Sequence, residues 1–290
     1  MEKKKTHQPA LTVDEQIENL ISIGLIINDT EYAKDILNKI SYYRLIKAYS
    51  LNLKSKNQNY NNNVTFEQIV NLYSFNSNLR QLLFPEIEKI EISARCKISN
   101  YFSTNYGVLG YINSENFINA TYHSRFIFEL SEEIKRNSNS PFVKNFKNNY
   151  ISEYLPFYAV IELFSFGMLS KFYKNMKNSD KKIIASNFGI GYTYLESWLE
   201  SISYVRNICA HYGRLYNFRL IKKPTLYKEY LKDNIQNDRI FAIILCLKHL
   251  LNKDEQWNSF ITKLSALIEE YDEIELKYIG FPDNWENLLI

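Results

Sequence analysis

Apolar residues recur at intervals of three and four along one segment after another, and this spacing restricts the fold more than any other feature of the sequence. Leu195, Trp198, Leu199 and Ile202 are one example, and a repeat near 3.6 places such residues along one face of a helix. The alternation of period two that indicates a β-strand is not sustained anywhere. Glycine and proline, which interrupt helices, number only 8 and 6 among 290 residues. The sequence therefore predicts an all-α protein.

The individual helices are predicted from capping patterns and apolar stripes. Capping boxes begin helices at Thr12 and Thr65, and Asp29 or Thr30 caps another. Pro85 is expected in the first turn of a separate helix, because proline cannot donate the hydrogen bond that a helix interior needs. The other expected helices cover residues 121–137, a buried segment from 156 to about 169, a short segment from a Ser179 cap to 187, then 193–211, 239–251 and 257–271.

The domain organisation is predicted from a polar, aperiodic stretch between Asn52 and Asn63. Such a composition is typical of a surface loop and marks the best candidate boundary. We expect an N-terminal helical unit of residues 1–60, a helical core of residues 61–225, and C-terminal helices of residues 226–290 that pack on the core. No chemistry is assigned to the N-terminal unit.

Composition limits the class of function. The formal net charge is +3, a small excess that permits an anionic partner without requiring one. Cys96, Cys209 and Cys246 are too far apart to suggest a zinc site or a disulfide framework. The basic start is not followed by an apolar segment, and no apolar run is as long as a membrane span. We expect a soluble, cytoplasmic protein that needs no membrane.

One segment of the predicted helix 193–211 carries the residues best suited to catalysis. Arginine keeps its charge and can bind a phosphate through two hydrogen bonds, whereas histidine can gain and lose a proton near neutral pH. Asn207 and His211 share a helix face, and Arg206 is about 140° away around the axis, within reach of a long side chain. These three residues could meet one phosphate, which is what RNA cleavage without a metal or cofactor requires.

The same residues also fit a structural interpretation. Arg206 could bind helix carbonyls or pair with Glu162, and His211 could simply end its helix. A cation at a helix C-terminus is favoured by the helix dipole whether or not it is catalytic. The spacing of the motif alone does not separate the two interpretations.

Further motifs resemble, in the same order, those of the Abi family of bacterial abortive-infection proteins, the AbiD/AbiF type. They extend over nearly the whole chain and comprise residues 11–17, 40–45, 72–75, 79–80, 87–95, 162–167, 198–199, 206–217 and 280–282. The segment from Arg206 to His211 also resembles the R-x4-6-H signature of the HEPN superfamily. This resemblance implies a HEPN-like helical bundle with an N-terminal helical extension and C-terminal helices.

The resemblance also implies roles for individual residues. Arg206 and His211 would be the catalytic pair, Asn207 their orienting neighbour, and Glu162 a supporting residue. The family is tied to phage defence and toxin–antitoxin behaviour, and some relatives are accompanied by a small noncoding RNA. RNA is thus implied both as substrate and as a regulatory partner.

The sequence departs from one related pattern. A subgroup of HEPN toxins has R-x4-H-x-Y, whose tyrosine is modified by a partner nucleotidyltransferase. Here Gly213 occupies that position and Tyr212 comes one residue earlier. Control by nucleotidylation of a tyrosine is therefore not expected.

Basic and aromatic side chains near the motif could follow an RNA backbone and stack on its bases. Each of them is also compatible with an ordinary solvated surface. The expected RNA-binding residues are Lys181, Lys182, Tyr212, Arg214, Tyr216, Arg219, Lys222 and Lys223.

These inferences predict a metal-independent endoribonuclease in which the 2′-hydroxyl of RNA attacks the phosphate and leaves a 2′,3′-cyclic phosphate. One imidazole cannot readily act as base and acid in the same turnover, so a homodimer that contributes two is expected. The alternative is a non-cleaving RNA-binding module that grips a structured noncoding RNA. A scaffold that binds only protein is a third possibility.

Overall fold

Helices form the regular structure of residues 9–251 and 256–290, which are the residues that the computed structural model describes. Within these ranges the chain has isolated β-bridges but no strand, which confirms the predicted all-α class. The helices are α1 Val13–Ser22, α2 Thr30–Lys39, α3 Phe66–Tyr106, α4 Ala120–Arg136, α5 Pro141–Asn149, α6 Phe157–Val160, α7 Phe166–Asn175, α8 Asn178–Ser186, α9 Tyr192–Ala210, α10 Ile240–Leu251, α11 Gln256–Glu270 and α12 Trp285–Leu289. None of the described helices combines the length and the apolar character needed to cross a membrane.

The chain divides into two compact units. The first contains the residues up to Leu79 together with Leu267–Ile274, and the second contains Arg80–Ala266 and Glu275–Ile290. These limits differ from the three-part division predicted from the sequence, which followed changes in composition rather than spatial contacts.

Helix starts in the first unit follow the predicted capping chemistry. The Thr12 hydroxyl accepts a hydrogen bond from the Glu15 backbone N–H, and the Glu15 carboxylate accepts one from the Thr12 backbone N–H, so both members of the capping box are present. Asp29 caps α2 by accepting from the backbone of Tyr32 at 2.9 Å. Reciprocal bonds satisfy N–H groups that would otherwise lack a partner at a helix start.

The prediction that Pro85 begins a new helix was wrong. Pro85 lies inside α3, which continues unbroken for 41 residues. The apolar stripe explains the continuity, because it keeps helical spacing on both sides of the proline. Its buried members are Phe75, Leu79, Leu83, Ile87, Ile90, Ala94, Ile98 and Phe102. Burial of this stripe outweighs the one backbone hydrogen bond that proline cannot donate.

The predicted buried helix from residue 156 to 169 is interrupted. α6 passes into a single 3₁₀ turn, and α7 starts afresh at Phe166 with Ser165 as its cap. The Arg95 side chain, from α3, donates to the carbonyl oxygens of Ile161 and Phe164. The Ile161 carbonyl also accepts from the Phe164 N–H at 3.1 Å, which closes the 3₁₀ turn. The guanidinium thus binds the chain where the helix stops, a contact that apolar periodicity alone could not reveal.

The second unit surrounds α9 with other helices. α9 packs against α7, α8 and α10, and its predicted apolar stripe is buried from Leu195 to Cys209. α8 begins at Asn178 with Lys177 as its N-cap, not after a Ser179 cap as predicted; the Ser179 hydroxyl lies inside the helix and donates to the Asp180 carboxylate. Aromatic rings from α3, α4, α6 and α7 pack together beside α9; they include Phe102, Phe126, Phe157 and Phe172.

Candidate active site at the end of helix α9

The motif residues occupy the last two turns of α9. Val205 and Cys209 are buried and hold this end of the helix in the core, whereas the Arg206 side chain is 36% exposed and Asn207 and His211 are exposed. The helix thus presents the polar residues of the motif to solvent.

His211 is the C-cap of α9, and a Schellman turn follows it. The Tyr212 N–H donates to the Cys209 carbonyl at 3.2 Å, and the Gly213 N–H donates to the Ile208 carbonyl at 2.7 Å. This pattern requires a left-handed residue directly after the cap, and Tyr212 adopts it with φ of 56°. The site therefore holds a tyrosine in a conformation that usually belongs to glycine.

The residues around Gly213 leave no room for a side chain at this position. A Cβ added at this position would come within 2.7 Å of the Ile208 side chain, closer than packed carbon atoms approach. The Gly213 carbonyl also accepts a hydrogen bond at 3.1 Å from Arg80, which is buried. A tyrosine cannot occupy position 213 in this turn, in agreement with the departure from the R-x4-H-x-Y pattern.

The Arg206 side chain extends from α9 towards α3. Its Nε atom lies 3.5 Å from Oε2 of Glu91, and its guanidinium carbon lies 5.6 Å from the centre of the Phe84 ring. Among the described residues, Glu91 is the one carboxylate that forms an ion pair with Arg206. The contact through Nε leaves the two terminal amino groups available for the paired oxygens of a phosphate.

Glu91 binds two guanidinium groups. Its other oxygen, Oε1, accepts from Arg95 at 2.8 Å; the two residues are four apart on α3, the spacing at which opposite charges pair along a helix. Glu162, expected to support Arg206, is 3.9 Å from Nε of Arg95 and is largely exposed. Glu162 therefore belongs to the Arg95 side of this network and forms no ion pair with Arg206.

Asn207 faces a different part of the second unit. It lines a cavity of about 430 Å³ between α4, α7 and α9, while Arg206 lines a smaller one of about 130 Å³ beside Glu91. Within one chain, the arginine and the asparagine of the motif therefore line two different cavities.

The other described histidines are used in packing. His123 is buried and its Nε2 bonds to the Tyr111 carbonyl at 2.8 Å. His249 bonds to the Tyr230 hydroxyl at 2.7 Å, and burial lowers the pKa of its imidazole. Among the described residues, His211 is thus the one exposed histidine, while His7 lies outside them.

Cys209, within the motif, is not suited to act as a nucleophile. Burial raises the pKa of its thiol to about 12, so it stays protonated at neutral pH, and the thiolate is the reactive form. The candidate catalytic residues at this end of α9 are therefore Arg206, Asn207 and His211.

The motif lies within a region of recognised family similarity. Residues 35–217, well over half of the chain, match the model of the family described as Abi-like protein. The chain belongs to the Abi-like protein family. No curated protein and no solved structure matches it. The match includes α9, the Schellman turn and both neighbours of Arg206 on α3, so the geometry described above belongs to the family region.

Two residues predicted to bind RNA do not suit that role. Lys181 is buried, and its ammonium donates to Glu196 at 2.7 Å and to the Lys174 carbonyl at 3.2 Å. Tyr216 is also buried, at 7% exposure. Both patterns are typical of packing, so neither side chain offers a surface to a nucleic acid.

The other predicted RNA-binding residues are more accessible. Lys182, Tyr212, Arg219, Lys222 and Lys223 are exposed, and Arg214 is partly exposed. Three of their cations already pair with carboxylates: Lys222 with Glu200 at 2.6 Å, and Arg219 and Lys223 with Asp238 at 2.7 and 3.8 Å. An RNA phosphate would have to compete with these carboxylates.

Sequence reasoning missed the partners that α3 and α4 supply. The spacing of residues along the sequence does not connect Glu91, Arg80 or the α4 residues Tyr122 and Arg125 with the motif. The helical spacing of residues in α3 and α4 indicates which face of each helix is exposed. It does not indicate that these faces lie beside the end of α9.

Proposed function

We propose that this Abi-like protein is a metal-independent endoribonuclease of the HEPN type, acting in abortive infection against phage or as an RNA-regulated toxin. The observation that carries the proposal is the placement of His211, an exposed imidazole at the end of α9. It follows, by five positions on the same helix, an arginine whose Nε is paired with Glu91. Family membership supports the biological setting.

The proposed reaction needs only groups that the chain and RNA supply. His211 removes the proton of the 2′-hydroxyl, the 2′-oxygen attacks phosphorus, and the bond from phosphorus to the 5′-oxygen breaks. A second imidazole protonates the departing 5′-oxygen. Arg206 stabilises the non-bridging oxygens as their charge increases, which is where a preorganised cation contributes most. The products are a 2′,3′-cyclic phosphate and a 5′-hydroxyl.

A homodimer supplies the second imidazole. Arg206 and His211 are about 140° apart around α9, and Arg206 is turned towards α3. Two copies that meet near the ends of their α9 helices would place the arginine and histidine of both chains around one phosphate, because a twofold contact repeats each residue.

Substitution of the two motif residues tests the proposal. We expect His211→Ala to reduce cleavage of RNA by about 10²–10⁴-fold, the usual contribution of a positioned proton-transfer group. Arg206→Lys keeps the charge but loses the planar fork, so a large loss is also expected. Arg136→Lys, in the exposed last turn of α4, is the matched control and should cleave normally.

Product and mass measurements complete this test. Cleavage should persist in EDTA, produce cyclic phosphate ends and be carried out by a dimer. Full activity of His211→Ala, or activity of a stable monomer, would overturn the proposal.

The second candidate is a non-cleaving module that grips a structured noncoding RNA. The observation that favours it is the set of four cationic side chains around the cavity next to Asn207. A binder of this kind would show steeply salt-dependent affinity that His211→Ala leaves unchanged, and no cleavage in any variant. A protein-only scaffold would show no affinity for nucleic acid.

A further inference from the structure

The cavity beside Asn207 has an apolar floor. α4 and α7 contribute Phe126, Met168 and Phe172, each of them buried, and the Phe126 and Phe172 rings are 5.2 Å apart between centres. The volume of about 430 Å³ is within the range of pockets that hold small organic ligands. The floor would accept a flat, weakly polar group.

Charged side chains surround this floor. Arg125, Lys171, Lys174 and Lys222 are cationic and Glu129 and Glu200 are anionic, so the six give a formal charge of +2. Glu129 pairs with Lys171 at 3.1 Å, and Glu200 pairs with Lys174 at 3.2 Å and with Lys222 at 2.6 Å. The excess of positive charge favours an anionic ligand.

Arg125 differs from the three lysines. It is exposed on α4, and across the described parts of the chain its guanidinium forms no hydrogen bond or ion pair. A phosphate could bind there without displacing a carboxylate. The cavity thus combines an apolar floor with the Arg125 guanidinium, which has no ion-pair partner among the described residues and can donate two parallel hydrogen bonds to a phosphate.

Tyrosines also line the cavity. Tyr122 on α4 is 57% exposed, and Tyr204 on α9 is partly exposed. Tyrosine is one of the aromatic residues on which unpaired bases of RNA stack. Tyr204 precedes Asn207 by three residues and His211 follows Asn207 by four, so the cavity wall and the histidine lie along one side of α9.

We propose that the cavity formed by α4, α7 and α9 is a subsite that binds one unpaired nucleotide of single-stranded RNA next to the phosphate to be cleaved. The base lies over the Phe126 and Phe172 floor beside the tyrosines, and Arg125 binds a phosphate. The step from Asn207 to His211 is about 6 Å along the helix axis, comparable to one nucleotide of backbone. This inference rests on the proposed ribonuclease function and assigns it a substrate class.

The test measures binding separately from cleavage. The probe is a fluorescent single-stranded RNA with 2′-O-methyl groups, which lacks the attacking hydroxyl, so its affinity can be measured without turnover. The variants are Tyr122→Ala and Arg125→Gln. The matched controls on the same helix are Phe128→Ala and Arg136→Gln; Phe128 is 67% exposed, and neither control residue lines the cavity. Circular dichroism verifies that each variant is folded.

We expect Tyr122→Ala to weaken binding of the probe by at least about fivefold, the lower end for loss of one base stack. Arg125→Gln should weaken it by a similar factor, because it loses a charge-assisted hydrogen bond to phosphate. The two controls should bind like wild type. A duplex of the same sequence should bind more weakly than the single strand, because a paired base cannot enter the cavity.

The outcomes separate this inference from the proposed function. If the cavity variants bind and cleave like wild type while His211→Ala abolishes cleavage, the subsite is overturned and the nuclease stands. If no RNA is cleaved but the cavity variants bind the probe weakly, the subsite stands and the nuclease fails. Competition with AMP, GMP, CMP and UMP distinguishes the source of the nucleotide: binding of a mononucleotide without binding of the single strand would overturn assignment to the polymer.

Discussion

The Oε2 atom of Glu91 lies 3.5 Å from the Nε atom of Arg206, and its Oε1 atom accepts a hydrogen bond from Arg95. One carboxylate on α3 therefore binds the proposed catalytic arginine at Nε, the nitrogen nearest the aliphatic part of its side chain. The contact restrains the guanidinium without using the two amino groups that a phosphate would bind.

We expect Glu91→Gln to lower kcat for RNA cleavage by roughly tenfold, or about 1.4 kcal/mol in the barrier, with a smaller change in KM. The amide keeps the size of the side chain but loses the charge that positions Arg206. Steady-state kinetics on wild type and variant check this. Glu88→Gln is the matched control, because Glu88 lines the same small cavity without an ion pair in the described structure. An equal loss in both variants would contradict a positioning role for Glu91.

The turn after His211 allows a prediction about stability. Tyr212 has φ of 56°, and a left-handed conformation is costly for residues with a Cβ but not for glycine. We expect Tyr212→Gly to raise the free energy of unfolding by about 0.5–1 kcal/mol. Gly213→Ala should lower it by about 1–3 kcal/mol, because the new methyl overlaps Ile208.

Urea denaturation measures both effects. Phe128→Gly is the control for Tyr212→Gly, since Phe128 is an exposed aromatic residue in the interior of α4, where glycine weakens a helix by about 1 kcal/mol. Stabilisation at position 212 together with destabilisation at position 128 would show that backbone conformation decides whether glycine raises or lowers the free energy of unfolding. Destabilisation at both positions would contradict the strain at Tyr212.

The sequence was sufficient for features that depend on nearby residues. The capping boxes at Thr12 and Thr65, the Asp29 cap and the extent of α9 need only the spacing of residues within one helix. The all-α class follows from the same local signals. The position of His211 at the end of α9 was predictable for this reason.

Features that depend on contacts between distant residues were not predictable. The break between α6 and α7 depends on Arg95, and the continuity of α3 through Pro85 depends on burial of its stripe. The role of Glu91 depends on where α3 passes α9. The sequence predicts that Lys181 binds RNA, but the structure pairs it with Glu196. A one-dimensional pattern does not show which charged side chains become buried.

Glu200 allows a test of charge at the cavity. The hydrogen bond from Lys222 lowers the pKa of the Glu200 carboxyl, with a further contribution from Lys174. The carboxylate is thus ionised at neutral pH and opposes an anionic ligand. We expect Glu200→Gln to tighten binding of the 2′-O-methyl RNA probe several-fold at low salt and less at high salt, because salt screens exposed charges.

Fluorescence anisotropy at two salt concentrations measures this change. Glu132→Gln is the control, because Glu132 pairs with Lys135 on α4 and does not line the cavity, while the substitution changes the net charge equally. A similar gain from both variants would attribute the effect to overall charge and not to the cavity.

His249 makes stability depend on pH in the acidic range. Burial lowers its pKa from the ordinary value of 6.5, and Lys248 lowers it further while Glu229 opposes the shift. As the pH falls below 6.5, the unfolded chain takes up a proton at this position before the folded chain does. The stability that the neutral imidazole provides is therefore complete above 6.5 and is lost progressively as the pH falls towards the lower folded value.

We expect the melting temperature of His249→Gln to fall less than that of wild type between pH 7.5 and 5. The variant lacks the imidazole that stays neutral beside the Tyr230 hydroxyl, so this group no longer contributes to the pH dependence. At pH 7.5 the variant is less stable than wild type, because packing against Trp198 and Tyr227 is altered. The quantity to measure is the difference in melting temperature between wild type and variant at each pH. That difference should stay constant from pH 7.5 to 8.5 and shrink on acidification. A difference that grows as the pH falls would mean that the folded state binds the proton more tightly than the unfolded chain, contrary to the effect of burial.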